Sequence, residues 1–116
     1  KEYFIKYKMK HFMFKHIKIH LGENKYENWE LLESSKPCDI FLHLNSFPSG
    51  HIKIEMDIFN SEIIRYAGEI CKKYSKYKNL KNIKICYCTY NNVYKTQKIG
   101  EVTFKSNKKV CTMNLY

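Results

Sequence analysis

Apolar Ile17, Ile19 and Leu21 alternate with polar His16, Lys18 and His20 until Gly22 interrupts the run. A two-residue period of this kind predicts a half-buried strand with both histidines on its polar face. The period lengthens in "ENKYENWELLESS", where Trp29, Leu31 and Leu32 precede Pro37, and a short helix is expected there. Alternation then returns twice. In "DIFLHL", Asp39, Phe41 and His43 fall on one side and Ile40, Leu42 and Leu44 on the other; in "HIKIEM", Ile52, Ile54 and Met56 fall together. The intervening "NSFPSG" predicts a hairpin loop. Its register is open, and a slip of one residue decides whether His43 and His51 share a face.

Helical spacing dominates "NSEIIRYAGEICKKYSKY": Ile63, Ile64, Ala67, Ile70, Cys71 and Tyr74 form one stripe behind a capping Asn60 or Ser61. Arg65, Glu69, Lys72, Lys73 and Lys76 take the remaining positions. Three further strands are expected at "IKICYCTY", "GEVTFK" and "KVCTMNLY", the last two joined by a turn-like "SNK". No internal repeat or linker divides the chain. Residues 1–116 are therefore expected to form a single α+β domain, a mainly antiparallel β-sheet with one long helix packed on it and a second short helix.

A chain of 116 residues can bury roughly two thirds of its unfolded surface, so a hydrophobic core needs no staples. No apolar run approaches the roughly 20 residues of a membrane span, and no signal-peptide pattern is present. The five cysteines, Cys38, Cys71, Cys86, Cys88 and Cys111, are odd in number and lack a C-x-x-C pair. That pattern fits neither a zinc ribbon nor a secreted disulfide framework, so a cytoplasmic setting is expected, with a nuclear or membrane-associated one as the alternatives, and the thiols are expected to act as small buried hydrophobes. Net charge is +10, carried by lysines and by one arginine, Arg65. Such an excess favours polyanions, phosphate backbones first and acidic membrane surfaces second. Abundant Lys, Asn, Ile and Tyr are also what base-composition bias in the coding genome would produce, so the charge needs a spatial argument.

Catalysis would draw on Ser49 or Cys38 with His43 or His51 and Asp39, but sequence proximity supplies no geometry, and no G-x-S-x-G, H-E-x-x-H or glycine-rich phosphate loop occurs. His43 reads more simply as a hydrogen-bonded strand histidine. Neither a cofactor nor a metal site is expected, since His16 and His20 lack a visible third ligand. Nucleic-acid binding has more support. Aromatic rings interleave with lysines in "YSKYKNLKNIK" and "YNNVYKTQK", pairing stacking platforms with phosphate contacts. Tyr74 reads as core at helical spacing and Tyr77 as a surface ring, which puts Tyr94 and Lys95 ahead as contacts.

Taken in order, "LGENKYENWELL", "DIFLHLNSFPSGHIKI", "AGEICKKYS" and "IKICYCTYNNVYKTQKIGEVTF" resemble the NFACT-R domain, an RNA-binding module also found in ribosome-associated quality-control factors. The family pattern falls on Gly22, Asn28, Asp39, His43, Pro48, His51, Ala67, Tyr74, Ser75, Val93, Lys95, Gly100 and Val102, and spans 22–104. Phe41–Leu42 replaces the usual Trp-Phe, Ser49–Gly50 inverts the usual Gly-Ser, and Gly68 stands where a second Ala is common. The "G-x-x-KYEN" segment, Gly22 to Asn28, is most similar to a branch of the family whose domain is followed by a charged helical tail, which is not expected within 1–116.

The resemblance implies a non-catalytic recognition module that binds nucleic acid, RNA ahead of DNA, with ribosomal or translation partners as the alternative. Asp39, His43 and His51 are expected to form a small acid-and-imidazole cluster at the hairpin, with Lys25, Lys53 and Lys95 supplying charge and Tyr26 and Tyr94 lying beside them. Oligomeric state stays open.

Overall fold

The computed structural model describes residues 9–56 and 58–116. Strands β1 (Lys10–Phe14) and β2 (Ile17–Gly22) form a first hairpin, followed by helix α1 (Lys25–Glu33). Strands β3 (Ile40–Leu44) and β4 (His51–Ile54) form a second hairpin, followed by helix α2 (Ser61–Lys73). Then come β5 (Ile83–Thr89), a small hairpin of β6 (Val93–Lys95) and β7 (Val102–Phe104), and β8 (Cys111–Leu115). Among the described residues, six strands make one antiparallel sheet in the order β1-β2-β4-β3-β5-β8, and β6–β7 stands apart from it.

Helix α2 exists because a strong cap meets a clean apolar stripe. The Asn60 side chain accepts hydrogen bonds from the Glu62 and Ile63 N–H groups, which settles the cap in favour of Asn60. Lys72 and Lys73 lie in the last turn, where they complement the helix dipole. Ile63, Ile64, Ala67, Ile70 and Cys71 are buried against Leu42, Leu44, Ile52, Ile54, Ile85 and Leu115 on one sheet face. The opposite face is covered by α1 and by β6–β7, whose Val93, Val102 and Phe104 join Leu32 around Phe41, Cys88 and Tyr90. The sheet is thus a middle layer, and both Phe41 and Leu42 are 0 % exposed.

Two strands, β1 and β6, are absent from the sequence reading. The β1–β2 turn is made by Lys15 and His16, with φ of 48° and 67°. Sequences usually mark such a turn with Asn-Gly, and here nothing marks it. His16 accordingly lies in the turn and does not share a strand face with His20. The partner of His20 comes from the unforeseen strand: the two Nδ1 atoms of His11 and His20 lie 2.7 Å apart, and His20 Nε2 is paired with Glu55. The thiol reading needs a second correction, because Cys38 and Cys111 are exposed while Cys71, Cys86 and Cys88 are buried.

Candidate nucleic-acid interface

The β3–β4 register sets Ile40 against Ile54, Phe41 against Lys53 and Leu42 against Ile52, which puts His43 and His51 on one face. Their rings are 5.7 Å apart, and each meets the Phe41 ring edge-on, at 5.1 Å for His43 and 5.0 Å for His51. His43 donates through Nδ1–H to the Leu44 carbonyl and accepts at Nε2 from the Cys86 thiol, 3.4 Å away. Burial lowers the His43 pKa, and burial with the neighbouring His43 brings His51 to about 3. Both rings are neutral at pH 7, so neither supplies positive charge. Burial likewise raises the Cys86 thiol to about 12 and keeps its proton in place.

Asp39 does not join them. It precedes β3, where its Oδ2 accepts from the Lys36 N–H at 2.8 Å and its carbonyl accepts from the Tyr90 N–H at 2.7 Å. Asp39 and His43 are four residue steps apart along extended chain, about 13 Å at the usual rise. The expected acid-and-imidazole cluster is therefore a histidine pair with a distant turn aspartate. Ser49 is structural as well: its Oγ accepts from the Leu44 N–H and donates to the Gly50 carbonyl, each at 3.0 Å.

Other signature positions do converge. Asn24 caps α1 by accepting from the Tyr26 and Glu27 N–H groups, and Glu27 reaches back to the Glu23 N–H at 2.8 Å. One turn later, Asn28 Oδ1 accepts from the His51 N–H at 3.1 Å, tying α1 to the start of β4. Gly22 pairs with His51 at this point, and a Cβ on it would stand 2.8 Å from Asn28 Oδ1. Gly100 has φ +86°, and a Cβ there would stand 2.4 Å from Lys25 Cβ. The β6–β7 loop is thereby brought flush with α1, where Trp29 Nε1–H also holds the Glu101 carbonyl at 3.1 Å.

The lysines expected to carry charge divide. Lys25 is exposed at the first turn of α1, its ammonium 5.3 Å from the Tyr26 ring centroid. Lys53 is not a surface cation: it is 8 % exposed and donates to Ser34 Oγ at 2.9 Å. Lys95 lies over the Trp29 ring at 4.7 Å and pairs with Glu33 at 3.2 Å, with Tyr94 exposed next to it on β6.

Two open grooves of about 500 Å³ each meet at Tyr74. One runs along the end of α2 past Phe12 and Tyr66, edged by Lys72, Lys73 and Lys78. The other lies between the first turn of α1, the Pro48–Gly50 turn, the Tyr74–Tyr77 segment and the β6–β7 loop, edged by Lys25, Lys76 and Lys98. Gly100, Pro48, Asn28, Tyr74 and Ser75 all line this second groove. Tyr74 is 40 % exposed, and the Lys10 and Lys73 ammonium groups lie 5.3 and 5.6 Å from its centroid. Tyr77 instead packs on Phe47 at 4.7 Å, so the surface and core roles expected for these two tyrosines are exchanged.

A family model described as the NFACT protein RNA binding domain matches residues 3–106. The chain belongs to this family. Nucleic-acid recognition is the family's character, and it is not a catalytic family. Among curated proteins, this NFACT RNA-binding domain is similar to coiled-coil domain-containing protein 25. The Danio rerio relative is 30% identical over 101 residues, covering 79% of this chain and 49% of that protein. The Bos taurus relative is 25% identical over the same shares. The chain spans about half the length of the curated relatives it matches. Its fold is also that of the C-terminal part of the fibronectin/fibrinogen-binding protein from Streptococcus suis, at a TM-score of 0.86 and 19% identity, over 99% of this chain and 47% of that one. Among the described residues, no helix is long and apolar enough to cross a membrane.

Proposed function

We propose that this domain is a non-catalytic RNA-binding module that takes phosphates on the two lysine-edged grooves meeting at Tyr74. The observation that carries this reading is the grouping of lysines there, four of them exposed and Lys72 half-buried. Lys25, Lys72, Lys73, Lys76 and Lys78 edge the grooves and form no ion pair among the described residues. The carboxylates among them are few: Glu23 is taken by Lys10 at 2.8 Å, Glu101 by Lys98 at 3.1 Å, and Glu69 lines the other groove. Ammonium groups held at a concave surface focus potential and release counterions when phosphate replaces water. The neutral histidine pair contributes by fixing the hairpin that shapes the second groove.

Labelled single-stranded RNA titrated at increasing salt tests the proposal. Log affinity is expected to fall linearly with log salt by roughly 0.7 for each phosphate neutralised, and Lys25→Glu with Lys76→Glu to flatten that line. A salt-independent affinity would overturn the reading. Absence of binding to RNA or DNA at low salt would replace it with a protein-interaction module.

A further inference from the structure

Resting on that reading, we infer that the second groove is a subsite for one unpaired nucleotide, with its phosphate on the Asn28 amide and its base against Tyr74. Asn28 is 9 % exposed, yet half of its amide has no partner among the described residues. Its orientation is unambiguous, because the atom facing the His51 N–H must be the accepting oxygen. The other half is then an –NH₂ group. Among the described residues, no buried side-chain nitrogen or oxygen is left without a partner, so this donor reaches solvent, and the surface that Asn28 lines is the groove.

A polar group so nearly buried, locked by one hydrogen bond and aimed at open space, is a prepared donor. Its surroundings favour an anion. The N-terminal turn of the nine-residue α1 presents the positive end of the helix dipole, Lys25 stands at that turn, and Lys76 and Lys98 face it from the other walls. Tyr74 lines the same groove with a half-exposed ring flanked by two ammonium groups, the combination that holds a base next to a bound phosphate. A groove of about 500 Å³ is of a size that holds small ligands. Bases inside a duplex have no free face to offer the tyrosine, so unpaired RNA is the ligand class.

Asn28→Asp keeps the oxygen that accepts from His51 N–H and replaces the donor with an acceptor carrying charge; Asn107→Asp, in an exposed turn, is the control for net charge alone. Fluorescence anisotropy with oligouridine, an abasic oligomer of equal phosphate number and an RNA duplex gives the readout. Asn28→Asp is expected to weaken both single strands at least tenfold relative to Asn107→Asp, with an unchanged melting temperature. Tyr74→Leu is expected to weaken oligouridine five- to a hundredfold and to leave the abasic oligomer unaffected. Equal affinities for Asn28→Asp and Asn107→Asp in a protein that binds RNA would overturn the subsite while the broader function stands. Tyr74→Leu binding oligouridine as the parent does, or a preference for the duplex, would also overturn it. If the parent protein binds none of the three, the proposed function itself falls.

Discussion

His51 ties its own protonation to the stability of the fold. Its pKa is about 3 in the folded protein, mainly through burial, against 6.5 when exposed. Between those values the unfolded chain binds a proton that the folded chain does not, so the histidine's contribution is complete above pH 6.5 and shrinks as pH falls. From pH 7 to 5 the loss is about 2 kcal/mol, and His43, whose pKa is lowered in the same direction, adds to it. Urea unfolding followed through Trp29 should show this loss, and His51→Gln should remove the His51 share. A stability that stays level across the window would mean that these rings are charged in the fold. Gly22→Ala provides a second test, because its Cβ would stand 2.8 Å from Asn28 Oδ1 and 3.1 Å from Asn28 N. The variant is expected to lose about 2–4 kcal/mol, the range for overpacking joined to a lost buried hydrogen bond. At this scale, alternation in the sequence is enough to reveal two histidines on a hairpin. Their neutrality depends on Phe41, Cys86 and the layers above them, which no local pattern encodes. Lys53 was misleading for the same reason: its alternation looks polar, but α1 closes over it and Ser34 takes its ammonium group.

The elements were legible wherever period and punctuation agreed. Both helices, the β3–β4 hairpin and β5 follow from spacing together with Asn, Gly and Pro signals. Strand β1 was hidden because Met13 interrupts its polar edge with a residue 59 % exposed, and because its turn uses Lys15–His16. Strand β6 is three residues long and gains its place only through β7 and α1. Capping offers a test of how far α2 depends on local signals. Asn60→Ala removes the acceptor for two N–H groups and should lower stability by about 1 kcal/mol, seen as a shifted urea midpoint with unchanged slope. Because Tyr74 and Lys76 follow this helix, fraying at its first turn should leave RNA affinity unaltered. Loss of affinity in proportion to loss of stability would instead show that the grooves depend on the whole helix being in place.

Across the whole molecule, the decisive matter is whether the excess of lysine is organised or merely abundant. Composition cannot separate the two, since a biased genome and a selected surface yield the same count. Position can. Lys73 and Lys76 adjoin Tyr74 at the end of α2, whereas Lys108 and Lys109 sit in the exposed turn before β8 and line neither groove. Reversing either pair to glutamate changes net charge by the same amount, so a protein attracting RNA through total charge alone would lose affinity equally in both. Organised charge predicts a difference. Lys73→Glu with Lys76→Glu should reduce the salt slope by about 1.4, two single-strand contacts at roughly 0.7 each, and weaken binding at least tenfold at low salt. Lys108→Glu with Lys109→Glu should leave the slope within about 0.3 of the parent, with only the small uniform loss that a lower net charge brings. Equal slopes for the two variants, measured on one oligomer over one salt series, would assign the lysines to genome composition and take from the grooves the charge on which their proposed role depends.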